Sequence, residues 1–322
     1  MVIEAFPARV DATEGPDTPG AQPIPVPIVP TIGDEARSGP PAPGVAAVAL
    51  AAVMVVSVMV VFLGLFAFTL SGLQEQRSQH LLYAQFRGLL DPSSTTAPSI
   101  GGSIPVGTPI ALLNSAQADL HNVVVVEGTS SGTLLAGPGH RRDTPLPGQT
   151  GQSILVGKGM TAGSPFGDLT HLRAGDIVRV RTGQGPFRYR VVGTVAPGGR
   201  LPTIRSDQSL LTLVTSESTG PLGYLAPGHL VYVEAQLVGR PVTAPKGAPR
   251  TVSPSEIQGH NEPGAWPLAG LWFLGLLAAT AGCWWLWSRW GIVHTWIVGA
   301  PVIFGILWGL SNEAMRLLPN VY

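Results

Sequence analysis

One cysteine, Cys283, stands in the whole chain of 322 residues, so no internal disulfide can form. Zinc-like spacing of Cys and His is also absent, and the chain is expected to hold neither metal nor cofactor. A surplus of charge of either sign is missing, because 19 Lys and Arg balance 19 Asp and Glu. That balance gives no electrostatic reason to bind nucleic acid or a strongly acidic partner. Charged residues are scarce altogether, at 12% against 45% hydrophobic, which is unusual for a purely soluble protein. What is plentiful is glycine, 41 residues, and proline, 31 residues, the material of turns and linkers.

Long apolar runs account for the hydrophobic excess. Residues 45–70, VAAVALAAVMVVSVMVVFLGLFAFTL, carry no charge and exceed the roughly 20 residues a helix needs to cross a hydrocarbon core. A signal peptide would be shorter and closer to the start of the chain. Two more runs, 267–287 and 291–310, predict a second and a third membrane helix. Only Ser288, Arg289 and Trp290 separate them, a tight hairpin with an aromatic and cationic tip at an interface. Pro301 predicts a kink in the last helix, and His294, close to its end, is read as reaching the headgroups. Arg37 and Arg289 favour a cytoplasmic N-terminus and hairpin tip, whereas Arg77 opposes this. The consistent topology has the N-terminus inside, the central domain outside the cytoplasm, and the tail 311–322 outside as well.

Between the runs, residues 1–44 read as a disordered, proline-rich cytoplasmic tail. Leu73, Leu81, Leu82, Phe86, Leu89 and Leu90 recur at helical spacing, predicting a juxtamembrane amphipathic helix and linker over 71–102. Its apolar face is expected to meet a second copy or lipid, so association through this helix and the C-terminal hairpin is an open possibility. A second linker is read at 244–266. The domain between, 103–243, is β-rich. IVRVR at 177–181, FRYRV at 187–191 and VYVEAQL at 231–237 alternate apolar with polar residues, the period of half-buried antiparallel strands. Strands at 123–126, 153–157 and 210–215 are more continuously apolar, and short strands with frequent turns predict a closed barrel.

Three stretches of this domain carry a family pattern in order: VVVVEGTSSGTLLAGPGHRRDTPLPGQTGQSILVG at 123–157, SPFGDLTHLRAGDIVRVRTGQGPFRYRVVGTV at 164–195, and LTLVTS at 211–216. Over roughly 105–238 the chain resembles a sortase, the membrane-anchored cysteine transpeptidase of Gram-positive cell walls. The likeness is to the housekeeping-type, class E-like sortases of actinobacteria. The resemblance implies a mostly β fold, a closed eight-stranded sortase-type barrel with short helices, here combined with three transmembrane helices. It also implies a plasma-membrane protein whose barrel faces the outside of the cell.

The family's chemistry uses a Cys thiolate that attacks the sorting-signal peptide, a His in a Gly-His pair as general acid, and an Arg on a late strand that stabilises the carbonyl and oxyanion. Aligned on those motifs, the Cys position is Ser216 and the Gly-His pair is Gly157-Lys158. The Arg position falls at His229 or Leu230, and no Arg occurs between Arg205 and Arg240. A serine hydroxyl is barely ionised at neutral pH and needs a base. Lys158 would have to be that base, which requires desolvation strong enough to release its proton. The family's general acid is partly exposed in its cleft, an environment that would leave Lys158 protonated. Without the Arg, the oxyanion would lose a partner worth about 3–4 kcal/mol by analogy with other oxyanion-hole deletions. The reading is a degenerate, non-catalytic sortase-like protein of the cell envelope that binds a peptide or a secreted or membrane protein, or scaffolds an envelope complex through its helices; the alternative is a transpeptidase or peptidase built on Ser216 and Lys158. His121, His140 and His171 are read as structural or solvent-facing. The glycine-rich GTSSG and TGQG stretches are read as turns, not phosphate loops, because neither carries the Lys-Ser/Thr of a P-loop.

Overall fold

The computed structural model describes residues 44–91, 93, 98–195, 207–217, 229–245, 247, 249 and 251–321. The expected proline-rich tail lies, apart from Gly44, outside the described residues. Helix α1 (Val45–Leu65) is uncharged throughout. It runs through a π-helical turn, Phe66–Leu70, into α2 (Ser71–Leu90). The hydroxyls of Thr69 and Ser71 each donate 2.7 Å hydrogen bonds to carbonyls four residues back, those of Leu65 and Ala67, helping to satisfy backbone groups at the widened turn.

The helical spacing in α2 puts Leu82, Phe86 and Leu90 against the barrel, where Phe86 is fully buried beside Leu112 and Val124. Part of the face expected to meet lipid or a second copy is therefore covered by the domain that follows. The physical reason is that the barrel presents apolar side chains on its outer wall there, which need a cover. Leu73 and Leu81 remain exposed. Gln79 fixes the contact: its Nε2 donates to Val124 O (3.1 Å) and Ala136 O (2.8 Å), and its Oε1 accepts from Val124 N (2.7 Å).

Eight strands close into a barrel: β1 (Pro109–Ser115), β2 (Leu120–Glu127), β3 (Gly139–His140), β4 (Gly151–Val156), β5 (Ile177–Thr182), β6 (Gly185–Val195), β7 (Ser209–Glu217) and β8 (His229–Leu237). Their order around the barrel is β1-β2-β3-β4-β7-β8-β6-β5. Pairs β2–β3 and β4–β7 are parallel and the others antiparallel. The alternation in the sequence becomes the inside and outside of the wall: Val178, Val180, Tyr189, Val191, Val231, Val233 and Ala235 fill the core. Strand β7 is buried on both faces up to Ser216, which explains its continuous apolar run.

Two further helices, α3 (Trp266–Trp290) and α4 (Ile292–Leu317), form a hairpin. Ser288, Arg289 and Trp290 were expected to form its tip; they instead complete α3, and the reversal rests on Gly291 at φ +83°, a conformation glycine adopts without strain. Gly309 lies so close to Trp272 that a Cβ would collide with the indole, the close approach small residues permit between apolar helices. Helix α1 and the π-helical turn after it join α4 through edge-to-face aromatic pairs, Phe62 with Phe304 (5.6 Å, 87°) and Phe66 with Trp308 (5.1 Å, 89°). Among the described residues, three helices are thus long and apolar enough to cross a membrane.

The stretch read as a C-terminal tail, 311–322, is packed through Val321 rather than separate from the barrel. Helix α4 continues to Leu317, and the chain then returns to the barrel, burying Asn320 and Val321. The stretch read as a linker is partly packed too: Glu256 is buried, its carbonyl accepts from Thr129 Oγ1 (2.6 Å), and its carboxylate lies 3.5 Å from Arg142.

Candidate functional site

The site lies where β4 and β7 run parallel and end together. Val156 is in register with Val214, and Gly157 N continues the ladder by donating to Val214 O (3.0 Å). Two residues further on, this register brings Lys158 and Ser216 to the same end of the barrel. Glycine flanks Lys158 for steric reasons: a Cβ on Gly157 would enter the Phe166 ring, and one on Gly159 would overlap the carbonyl of Ser216. The next strand supplies the third position. Leu230 pairs with Ser216 and His229 with Glu217 across the β7–β8 ladder. Leu230 is half-buried against Val156, Val214 and their neighbours, whereas His229 is exposed. Of the two candidates for the third position, the one opposite Ser216 is thus apolar.

Lys158 departs from expectation. It was expected to be partly exposed and fully charged, but it is completely buried, and burial pulls its ammonium down to about 8. The reason is local closure. The turn after Lys158 folds back so that Phe166 N donates to Lys158 O (3.1 Å), and the segment after α4 closes over Gly159. At pH 7 about a tenth of such lysines are neutral. Burial therefore supplies part of what a Ser-Lys pair requires.

Ser216 is 5% exposed, and its hydroxyl is engaged: Oγ donates a 2.6 Å hydrogen bond to the carbonyl of Val321. Gly159 N donates to the same oxygen at 3.3 Å. Val321 packs with Leu134, Val156 and Val214, flanked by Ile154, Leu230 and Tyr232. The amino-acid pattern around Asn320 and Val321 offered no periodic signal, and sequence reasoning missed their role. Only the return of the chain after α4 brings them here.

The remaining histidines lie elsewhere. His140 is buried, with Nδ1 2.9 Å from Glu127 Oε2 and Nε2 3.1 Å from Pro145 O. It ties β2 and β3 to the following loop beside a cavity of about 300 Å³ that Arg142, Asp143 and Thr144 also line. His121 and His171 are exposed beside Asp119 (3.1 Å) and Asp168 (3.5 Å). No group of three or more His, Cys, Asp or Glu with metal-binding geometry occurs among the described residues.

With this geometry in view, comparison with known proteins is direct. Residues 116–235 match the sortase-domain family model, and the chain carries a sortase domain. Among solved structures it is similar to sortase E from Streptomyces avermitilis, at 29% identity and a TM-score of 0.36 over 43% of this chain and 94% of that one. It is also similar to a Clostridium perfringens sortase D5 transpeptidase (20% identity, TM-score 0.41, 51% and 99% covered). A third is sortase F from Corynebacterium diphtheriae (22%, 0.38, 48% and 97%). No curated protein sequence matches the chain.

Proposed function

We propose that this protein is a membrane-anchored, non-catalytic member of the sortase fold, whose barrel lies outside the cytoplasm and recognises an extended peptide of a secreted or membrane protein. The observation that carries this reading is the pairing of Ser216 with Leu230. Where the family's reaction requires a cation beside the attacked carbonyl, this chain has a branched hydrocarbon, and where it requires a thiolate it has a hydroxyl. The orientation is supported by the hairpin: α1 and α4 meet near the ends that adjoin the barrel, through Phe66 and Trp308. With the barrel outside, Arg289 then falls on the cytoplasmic side, as the positive-inside rule prefers.

A second reading, acyl transfer by Ser216 with Lys158 as base, is favoured by one observation, the lowered pKa of the buried lysine. The two readings separate in one experiment. The full chain in detergent is incubated with sorting-signal-type peptides and an amine acceptor, and its intact mass is followed. We expect no covalent adduct. An adduct on Ser216 that disappears in Lys158→Ala would establish the enzyme instead.

A further inference from the structure

Two donors converge on one backbone carbonyl at the end of β7. The Ser216 hydroxyl and the Gly159 amide both donate to Val321 O, at 2.6 and 3.3 Å. This is how a peptide-binding groove holds a ligand carbonyl, and here the carbonyl belongs to the same chain. The preceding residue is held as closely. Asn320 is fully buried; its Nδ2 donates to Thr129 O (2.7 Å) and Ile257 O (3.1 Å), and its Oδ1 accepts from Gly259 N (2.8 Å). Its own N–H donates to His260 O at 3.0 Å. Every polar group of the Asn320 side chain therefore meets a partner supplied by two loops, 128–132 and 256–260. Val321 fills an apolar pocket of Leu134, Val156, Val214 and Leu230 with 3% of its surface left exposed.

The end of α4 is anchored beside this segment. Arg316 Nη2 lies 2.7 Å from Glu262 Oε1, and Glu262 in turn accepts from Gly132 N (3.2 Å). Ser131 Oγ donates to Met315 O at 2.9 Å. Loop 128–132 thus grips both Asn320 and α4, and Glu262, just beyond 256–260, holds the helix end, so the tether and the seat share one loop.

We propose that Leu318–Val321 is a built-in ligand of the barrel groove, and that the groove, when this segment leaves, takes an extended peptide of the same chemistry: a carboxamide side chain followed by a β-branched apolar residue with its carbonyl on Ser216 and Gly159. This inference rests on the peptide-recognition reading above and adds to it a regulatory state, in which the protein is closed to external peptides until the end of α4 is displaced. An event that moves α4 in the membrane, or a competing peptide at high local concentration, would expose the groove.

The test uses the full chain in detergent and a fluorescein-labelled copy of Leu317–Tyr322, LLPNVY. The double variant Asn320→Ala with Val321→Ser weakens the seat directly. Glu262→Gln loosens the tether while leaving the groove residues in place, and it serves if the double variant does not fold. Both are expected to bind the peptide at least tenfold more tightly than the unaltered chain, as judged by anisotropy. Hydrogen exchange gives a second readout: the Gly159 and Gly259 amides should be protected in the unaltered chain, exposed in the variants, and protected again on adding peptide. The proposal is overturned if those amides exchange freely in the unaltered chain, or if the folded variants bind no better than it does. Binding that appears only with dimer formation would assign the segment to a second copy and overturn occupancy in cis. An acyl adduct in the opened variants would overturn the non-catalytic reading while leaving the built-in ligand standing.

Discussion

Leu230 stands directly opposite Ser216 in the β7–β8 ladder, and its side chain joins the apolar cluster that holds Val321. In the proposed reading Leu230 takes the place of the family's guanidinium, and that exchange is more than a local change. An arginine here would place a charge against Val156, Val214 and Val321, so the apolar cover and the missing cation go together.

Restoring one element of the chemistry should therefore fail. Ser216→Cys supplies a thiol but neither the imidazole nor the guanidinium, and its sulfur would sit against the Val321 carbonyl. We expect no thioacyl intermediate by intact mass with sorting-signal-type peptides. A stable adduct in this single variant would show that Lys158 alone can support the transfer.

Lys158 should leave a signature in stability against pH. Its proton is held less tightly in the folded chain, at about 8, than at the ordinary 10.5. Folding is thus disfavoured in full below pH 8, and the chain gains stability as pH rises from about 8 to 10.5, by on the order of 3 kcal/mol. In Lys158→Met this gain should vanish, as measured by the difference in thermal midpoint between the two proteins across that window.

Glu75 on α2 should act in the opposite sense. Burial against the barrel raises its carboxyl from 4.5 to about 7, so its neutral form belongs to the folded state. The stability associated with that proton is fully present below pH 4.5 and is lost as pH rises through 7. Glu75→Gln should match the unaltered chain at pH 4 and exceed it at pH 8, by thermal denaturation in one detergent.

Gln79 makes three hydrogen bonds from α2 to the barrel, two of them to Val124. Gln79→Ala leaves Val124 N–H without its partner under the helix, at a cost of about 1–3 kcal/mol. The expected readout is a lower melting point together with faster amide exchange in β2. Unchanged exchange there would mean that α2 is not held by this residue.

Orientation can be read by labelling. In a Cys283→Ala background, cysteine at exposed His171 should react in intact cells with a thiol reagent that cannot cross membranes. Cysteine at Ser288, beside the hairpin turn, should react only after lysis. The reverse pattern would invert the proposed topology.

Much of this architecture follows from sequence patterns that need no tertiary information. An uncharged run such as 45–70 is long and apolar enough for a membrane-crossing helix, and the alternation in 177–181 and 231–237 assigns each side chain to the inside or outside of a wall. The ordered motifs put Gly157-Lys158 and Ser216 at strand ends, and the parallel β4–β7 register brings them to the same end of the barrel. Tertiary structure alone decided the environment of that site. Burial is a property of what folds over a residue: nothing near Lys158 in sequence foretold that a turn to Phe166 and a segment more than 150 positions away would close over this end and lower its pKa. Nor does LLPNVY carry a period or charge that marks it as a ligand. Asn320 and Val321 acquire that role only because α4 ends beside the 128–132 loop, where the Thr129 carbonyl and an apolar hollow are within reach of a four-residue return.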